Sequence, residues 1–394
     1  MHVSTKTKLL VHIALLLDVI SIGIYIPAIE KLIDRYAVSP SWISIGLSVY
    51  ALCAFFSTPL LGQLSDKYGR KRLLVACIFG TALSYLMIIG HHIYWIFIVS
   101  RVINGITWGN FSILQAIMSD ISTDDVDRKK NLGLLGAIFG LGFIIGPVLG
   151  SVILWWGNVE TLFIFGTVLG VLDALLLIFW LPETNTHKQR HAVIDFAVLR
   201  TIRFYFQKPS LAPYLWSVMI LGIGVFSYQS VLPIEVRQDF GIGGEYFGYI
   251  LAMVGVITAL NMAILLPKFR LPRFSTRSLL AIAHLWLFVT MVGLTYNNVL
   301  PVDNLYVFMG LFMIAALFSS LYGPVYQGEM LAHSEPGRTG ELTGVFSSLQ
   351  TLTMVIGPLI GGLILDLHLP LFIVAVVCVL ISAGIMWRAR KHII

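Results

Sequence analysis

Charged residues are scarce in this sequence. Only 12% of its 394 residues are Asp, Glu, Lys or Arg, about half the share found in soluble globular chains. Hydrophobic residues make up 57%. This balance excludes a soluble globular protein, because lipid must replace water around much of the chain. At about 20 residues per membrane-spanning helix, twelve helices would use about 240 residues and leave ~150 for loops.

Cysteine and nucleotide-binding signals are also nearly absent. The three cysteines, Cys53, Cys77 and Cys378, fall within apolar runs, and their spacing matches neither a metal site nor a disulfide pair. We expect them to be packing residues, and we expect no metal and no cofactor. No Gly-x4-Gly-Lys loop occurs, which disfavours nucleotide-driven transport. The net charge is +6, but the basic residues lie in short loops between spans, so no nucleic-acid partner is expected.

The apolar runs are long and uninterrupted, which favours helices over the alternating ten-residue segments of a membrane barrel. The first run begins after Lys6 and Lys8 like a signal peptide, but it is too long and contains Asp18. We interpret it as the first retained span. The fold prediction is therefore an all-α integral membrane protein with spans near 9–29, 42–64, 73–91, 94–117, 131–155, 159–181, 212–234, 245–267, 276–296, 303–327, 340–363 and 369–388.

The loops between spans predict the topology. The long connection, 182–211, separates an N-terminal half, 1–181, from a C-terminal half, 212–394. The termini and even-numbered connections hold 22 of the 26 Lys and Arg residues, and the odd-numbered connections hold three. By the positive-inside rule both termini and the linker should be cytoplasmic. The opposite loops are short and carry no glycosylation sequon, which favours a bacterial inner membrane.

An internal repeat relates the two halves. Three residues of the fifth span recur in the eleventh at an offset of 211. The pairs are Gly146 and Gly357, Pro147 and Pro358, Gly150 and Gly361. Repeats of this kind are typical of transporters. We predict two six-helix halves in parallel relation, joined by pseudo-twofold symmetry.

The loop between spans two and three, residues 62–72, resembles the signature loop of the major facilitator superfamily. Gly62, Asp66, Gly69, Arg70 and Lys71 carry the likeness. The glycines permit a tight turn, and Asp66 can cap a helix or pair with Arg70. The resemblance implies that this loop clamps the two halves and controls conformational change. The alternative is a basic topology anchor.

A second motif lies in span five, where Gly142, Gly146, Pro147 and Gly150 resemble the motif that marks antiporters of the same superfamily. Small residues let helices pack closely, and proline loosens backbone hydrogen bonding. The resemblance implies export rather than uptake, and the alternative is a packing groove alone.

Three charged residues lie clearly inside predicted spans, away from the span ends: Asp18, Arg101 and Asp173. A charge at the centre of a membrane helix costs at least ~2.5 kcal/mol unless a partner or water compensates it. A low dielectric favours the protonated carboxylic acid, whereas a nearby arginine favours the carboxylate. We therefore predict a proton-coupling device. The alternatives are a static ion pair between Asp18 and Arg101, and an Asp173 that snorkels to the interface.

Polar and aromatic residues on the same spans predict a substrate cavity suited to a planar or amphipathic organic molecule. Asn104, Trp108 and Gln115 follow Arg101 at helical spacing. The predicted lining residues are Tyr25, Asn104, Trp108, Phe111, Gln115, Tyr228, Gln229, Asn261, Tyr322 and Gln327. His284 is interpreted as a packed, hydrogen-bonded group rather than a proton relay.

Much of the chain resembles the tetracycline-efflux type of drug:proton antiporter, including Asp18 nine residues before Pro27, and Arg101 with Gly105 and Gly109. The acidic residues typical of that group in spans three and nine are absent here. The resemblance implies proton-coupled efflux of small amphipathic compounds by a monomer in the bilayer. The alternatives are a dedicated exporter of a metabolite, siderophore or sugar, a proton symporter, and a membrane enzyme using the acidic loop at 120–127.

Overall fold

The computed structural model describes residues 5–185, 198–264, 275–299, 304–333 and 338–389, and these residues contain no strand. A 3-10 turn, Ile26–Ala28, lies between the first two α-helices. The helices α1 to α17 are Thr5–Gly23, Ile29–Tyr36, Pro40–Tyr68, Arg70–Leu86, Tyr94–Ile106, Asn110–Asp120, Asp125–Trp156, Val159–Trp180, Val198–Phe206, Ala212–Gln229, Leu232–Phe240, Gly244–Leu260, Thr276–Val299, Leu305–Ser319, Tyr322–Ala332, Thr339–Asp366 and Ile373–Ala389. The predicted all-α membrane fold is confirmed.

Several predicted spans are broken rather than continuous. The fourth consists of α5 and α6, the seventh of α10 and α11, and the tenth of α14 and α15. Pro233 lies in the first turn of α11. Backbone N–H groups there have no partner within the helix, so the N–H that proline lacks costs no hydrogen bond. By length and composition, eight described segments can cross a membrane, with Thr5–Tyr36 and Leu305–Ala332 each counted as one segment, or nine if the bent pair α10 and α11 is one span. The count of twelve stays a prediction.

Capping residues mark the helix termini at the connections: two side chains cap N-termini, and one left-handed glycine caps a C-terminus. Asn158 caps α8 by accepting from the backbone N–H of Thr161 at 3.0 Å, within a reciprocal capping box. Asp124 caps α7 by accepting from the N–H of Asp127 at 2.7 Å. Gly241 adopts a φ of +66° at the end of α11, a conformation that glycine reaches without strain. These residues place the helix ends where the sequence has its polar turns.

The described chain contains two compact units, each made mostly from one half of the sequence. Unit 1 comprises Met1–Ala37, Val49–Phe196 and Gly243–Ala252, and unit 2 comprises Val38–Ser48, Ala197–Ile242 and Met253–Ile394. Residues 186–197 of the predicted linker, which include Lys188 and Arg190, lie outside the described residues. The linker that follows them forms α9.

Small residues bring α7 and α1 together in unit 1. A Cβ built on Gly146 would lie 2.9 Å from the Cα of Gly23, and one on Gly142 would lie 2.7 Å from the Cβ of Val19. A Cβ on Gly150 would overlap the carbonyl oxygen of Ile24. The two backbones therefore approach as closely as glycine permits, which is how membrane helices gain van der Waals contact without a hydrophobic driving force.

Unit 1 also holds the first turns of α12. The buried carboxylate of Glu30 accepts a hydrogen bond from the N–H of Gly244 at 3.0 Å. The hydroxyl of Ser151 donates to the carbonyl oxygen of Gly244 at 2.5 Å and accepts from the N–H of Gly248 at 2.8 Å. The bond from Gly244 satisfies a helix-terminal N–H group that has no partner within its own helix. The hydroxyl of Ser151 bridges the carbonyl oxygen of Gly244 and the N–H of Gly248, which lie one turn apart on α12.

Unit 2 repeats the close packing of unit 1. A Cβ on Gly357 would lie 2.5 Å from the Cβ of Phe226, and one on Gly361 would overlap the carbonyl oxygen of Ser227. These glycines are the repeat partners of Gly146 and Gly150, and α16 contacts α10 as α7 contacts α1. The offset of 211 in the sequence thus corresponds to the same helix contact in each unit.

The close contact at Gly150 predicts a loss of stability on substitution. We expect Gly150→Ala to lower the free energy of unfolding by about 1–3 kcal/mol, because the added methyl must displace backbone atoms. Gly140→Ala on the same helix is the control, since a Cβ there has no neighbour within 4 Å. Thermal unfolding in detergent should show a lower midpoint for Gly150→Ala only. Equal midpoints for the two variants would contradict the prediction.

Candidate functional site

Asp18 lies inside unit 1 with little access to solvent. Its side chain is 6% exposed, and Oδ1 accepts a hydrogen bond from Nδ2 of Asn110 at 3.0 Å. The hydroxyl of Ser21 donates to the backbone carbonyl oxygen of Asp18 at 2.8 Å. A single neutral donor compensates the carboxylate only in part. The site can therefore hold a carboxyl group whose proton is exchangeable.

Arg101 is buried among aromatic rings. It is 1% exposed, and its guanidinium carbon lies 5.1 Å from the ring centroid of Tyr25, 5.4 Å from that of Phe97 and 5.9 Å from that of Tyr85. Nη2 donates to the hydroxyl of Ser100 at 3.2 Å, and Nε has no hydrogen-bond partner among the described residues. Cation–π attraction at desolvated sites contributes about 2 kcal/mol, so the rings replace a counter-ion.

The structure does not join Asp18 and Arg101 in an ion pair. Within the part of the chain that the structure describes, neither side chain has an opposite charge within 4.0 Å. The alternative of a static pair therefore has no support in this geometry. Any influence of Arg101 on Asp18 must act over a longer distance, through a low dielectric.

Asp173 is buried rather than exposed at the interface. Its side chain is 1% exposed, and neither carboxylate oxygen has a hydrogen-bond partner among the described residues. The alternative of snorkelling therefore has no support. Unit 1 therefore contains two buried acids within predicted spans, Asp18 and Asp173. A buried carboxyl group without a counter-charge is an arrangement that can hold a proton.

The predicted lining residues of unit 1 are not equivalent. Asn104 is buried and donates to the hydroxyl of Ser84 at 2.9 Å, so it joins α5 to α4. Trp108 lies edge-on to Tyr50 at 5.4 Å. Phe111 packs on Phe139 at 4.9 Å, and both rings pack against a cluster of buried hydrophobic residues in unit 1 that includes Leu114. Phe111 is thus a packing residue in this structure. Gln115 lies half-buried on α6.

The signature loop forms a polar network within unit 1. Arg70 bonds Asp66 at 2.5 Å, the hydroxyl of Ser65 at 2.5 Å and Asp120 at 3.2 Å. The N–H of Arg70 donates to Glu183 at 2.9 Å. These contacts tie the start of α4 to the ends of α3, α6 and α8, as the predicted pairing of Asp66 with Arg70 requires.

The glycines of this loop differ from each other. Gly69 has a φ of +110° and makes the turn, a conformation that disfavours side chains. Gly62 lies inside α3 with open space beside it, so it does not belong to the tight turn. Lys71 donates to the carbonyl oxygen of Ile178 at 2.7 Å, which adds a contact to the end of α8.

Unit 2 contains a cavity of about 290 Å³. Three predicted residues, Tyr228, Gln229 and Tyr322, are in its wall. Asn261 instead donates to the carbonyl oxygen of Leu317 at 2.9 Å and to the hydroxyl of Ser320 at 2.5 Å. Gln327 lies on α15 outside this lining. Only some of the residues predicted to line a cavity in the C-terminal half therefore line this one.

His284 has two hydrogen-bonding neighbours, as the sequence interpretation expected. Nδ1 lies 2.7 Å from the carbonyl oxygen of Leu280, and Nε2 lies 2.9 Å from the hydroxyl of Ser382. The ring is buried and packs edge-on to Tyr322 at 5.1 Å. It is a packed, hydrogen-bonded histidine in this arrangement.

Sequence reasoning missed the hydrogen-bond donor to Asp18. Asn110 lies in the predicted fourth span, 94–117. In a continuous helix, its spacing of nine residues from Arg101 puts it on the face opposite to Arg101. The structure breaks that span between Ile106 and Asn110, which changes the helical register. A polar residue beside Gly109 in an apolar run was the available signal. For the cavity residues Gln350 and Thr353, the sequence contains no comparable signal that would have predicted their place in the lining.

Long apolar helices, buried carboxyl groups within them and a cavity inside a helical unit define a multi-pass membrane transporter. The family model described as Major Facilitator Superfamily matches residues 11–296. The chain therefore belongs to the Major Facilitator Superfamily, and it is a transporter rather than an enzyme.

Similar proteins cover nearly the whole chain. The class B tetracycline resistance protein of Escherichia coli is 28% identical over 386 residues, covering 94% of this chain and 91% of that protein. The class H protein of Pasteurella multocida is 26% identical over 371 residues, covering 91% and 89%. The crystal structure of the nucleoside transporter NupG has a TM-score of 0.77 at 13% identity, covering 98% of this chain and 98% of that one, and supports the fold.

Proposed function

We propose that this transporter exports small amphipathic organic compounds in exchange for protons by alternating access. The observation that carries the proposal is Asp18, a carboxyl group that is 6% exposed within a membrane helix and has one neutral donor in the described part of the chain. Asp173 supports it as a second buried acid without a partner. Relatives named for tetracycline resistance support the substrate class, and the glycine contacts of α7 support the antiporter motif.

The parts of the mechanism follow from the placement of these residues. Asp18 would carry the exchanged proton, Asp173 would share it, and Arg101 would bias the ionisation of both from its aromatic cage. Asp66 and Arg70 would control conformational change through their network. Two six-helix halves, 1–181 and 212–394, would rock about the linker 182–211. Both termini would be cytoplasmic in a bacterial inner membrane, and the transporter would act as a monomer.

The available energy is sufficient for export. Moving one charge through 100 mV contributes about 2.3 kcal/mol, which corresponds to roughly a 50-fold substrate gradient. A dedicated metabolite exporter would use the same residues. A symporter would also use them, but it would move protons and substrate in the same direction.

Transport by purified protein in proteoliposomes tests the proposal. We expect an outward proton gradient to drive accumulation of tetracycline or a planar amphipathic dye, and reversal of the gradient to reverse the flux. A protonophore should abolish accumulation. Movement of substrate and protons in the same direction would instead establish a symporter. Substrate flux that does not depend on the proton gradient would reject proton coupling.

A further inference from the structure

The cavity of unit 2 has aromatic walls and a polar mouth. Tyr228, Phe312 and Phe346 are 2%, 4% and 5% exposed and contribute the buried walls. The amides of Gln229 and Gln350 are exposed at the lining. Edge-on contact between Tyr228 and Phe312 at 6.3 Å holds two of these rings in place. Walls of this kind favour a flat apolar ligand.

Among the residues that the structure describes, those that line this cavity include no Asp, Glu, Lys, Arg or His. A charged ligand group would lose its hydration here without meeting an opposite charge, and such a transfer is costly even when neutral hydrogen bonds remain. Asp18, Arg101 and Asp173 belong to unit 1, and the buried Glu235 of unit 2 is not part of this lining. The composition of the wall therefore selects an uncharged group.

Tyr322 provides a polar contact in this wall. It is 8% exposed, and its hydroxyl has no hydrogen-bond partner among the described residues. Three other hydroxyls of the lining, those of Ser319, Ser320 and Thr353, already donate to their own helices. Ser320 donates to the carbonyl oxygen of Leu317 at 2.8 Å, and Thr353 donates to that of Gln350 at 2.6 Å. An unpaired buried hydroxyl costs about 1–3 kcal/mol, which a ligand oxygen would recover.

We propose that this cavity binds the uncharged, flat aromatic part of the exported molecule and that the hydroxyl of Tyr322 donates to a carbonyl oxygen on it. The proposal rests on the proposed function, since it assigns the substrate class of that transporter. Tyr322 is a specificity-determining residue in this scheme, and any charged group of the same molecule lies outside this cavity.

Equilibrium binding to the full-length protein in detergent tests the proposal with three matched probes. These are 9-fluorenone, fluorene, which lacks the carbonyl group, and 9-fluorenone-2-carboxylate, which adds a charge. We expect 9-fluorenone to bind about fivefold more tightly than fluorene, as one hydrogen bond allows. The carboxylate should bind at least about tenfold more weakly than 9-fluorenone, because the cavity offers no counter-charge.

Tyr322→Phe should reduce 9-fluorenone binding to the level of fluorene and leave fluorene binding unchanged. Tyr326→Phe is the control, because Tyr326 is a buried tyrosine on the same helix that does not line the cavity. Phe346→Leu should weaken both probes by a similar factor. Equal binding of 9-fluorenone and its carboxylate, or an unchanged preference over fluorene in Tyr322→Phe, would overturn the proposal.

The binding assay uses no proton gradient, so it separates this proposal from the proposed function. Protein that exports against a proton gradient but fails to bind 9-fluorenone would overturn the cavity assignment alone. Protein that binds 9-fluorenone through Tyr322 but shows no proton-coupled flux would overturn the proposed function, and with it the claim that the bound group belongs to an exported molecule. An exported compound must also displace 9-fluorenone competitively.

Discussion

Asp18→Asn is expected to abolish accumulation of substrate against its gradient while downhill flux continues. Asparagine has nearly the same shape and can still accept from Nδ2 of Asn110, which lies 3.0 Å from Oδ1 in the native protein. It cannot release a proton, so the link between proton movement and substrate movement is lost. The fold should be unaffected, because volume and hydrogen bonding are kept.

The size of this effect follows from the energy of one proton. A gradient of one pH unit supplies about 1.4 kcal/mol per proton, so one proton per substrate sustains about a tenfold substrate gradient. With Asp18→Asn, the substrate concentrations inside and outside the proteoliposomes should become equal. The measurement is accumulation in proteoliposomes with an imposed pH gradient. Asp125→Asn, which removes a side chain that is 79% exposed, should accumulate substrate like the native protein.

The outcome that contradicts the role of Asp18 is equal accumulation by the native protein and Asp18→Asn. Loss of both accumulation and downhill flux would point instead to a defect in substrate binding or in conformational change. The quantity to compare between the variants is therefore the ratio of proton-driven accumulation to downhill flux.

Replacement of Asp173 should raise stability and lower transport at the same time. Asp173→Val removes two carboxyl oxygens that have no partner among the described residues. Each unsatisfied buried polar group costs about 1–3 kcal/mol, and replacement of buried charge by well-packed apolar groups is often stabilising. We expect the free energy of unfolding to rise by about 1 kcal/mol after the added volume is accommodated.

Transport should change in the opposite direction because the second buried acid is lost. We expect proton-driven accumulation in Asp173→Val and in the similarly shaped Asp173→Asn to fall well below the native level. Thermal unfolding in detergent and transport in proteoliposomes provide the two readouts. Asp18→Val is the contrasting variant, since it leaves the amide of Asn110 without its acceptor and should destabilise. A less stable Asp173→Val with native transport would refute the assignment.

The sequence predicted the helical fold because its signals are local. Long apolar runs set the helices, and polar turn residues such as Asn158 and Asp124 cap them. The repeat at an offset of 211 also predicted a shared contact, since Gly150 and Gly361 meet carbonyl oxygens of equivalent helices. Close packing leaves such a strong trace because no other residue fits.

The candidate site was only partly predictable. Asp18, Arg101 and Asp173 stand out in sequence because charge is rare in spans, yet their partners depend on distant parts of the chain. The cage around Arg101 brings together Tyr25 from the connection after α1, Tyr85 from α4 and Phe97 from α5. No spacing along one helix encodes such a group.

The sequence by itself determined that this chain is a helical membrane protein with buried acids and paired glycine motifs, since hydropathy and residue size act over a few helical turns. Only the tertiary structure decided that Arg101 meets aromatic rings instead of Asp18, that Asp173 is enclosed, and that Tyr322 borders a cavity without charged side chains. Helix breaks and interhelical packing fix these contacts, because a small change of register at a break redirects every side chain that follows it.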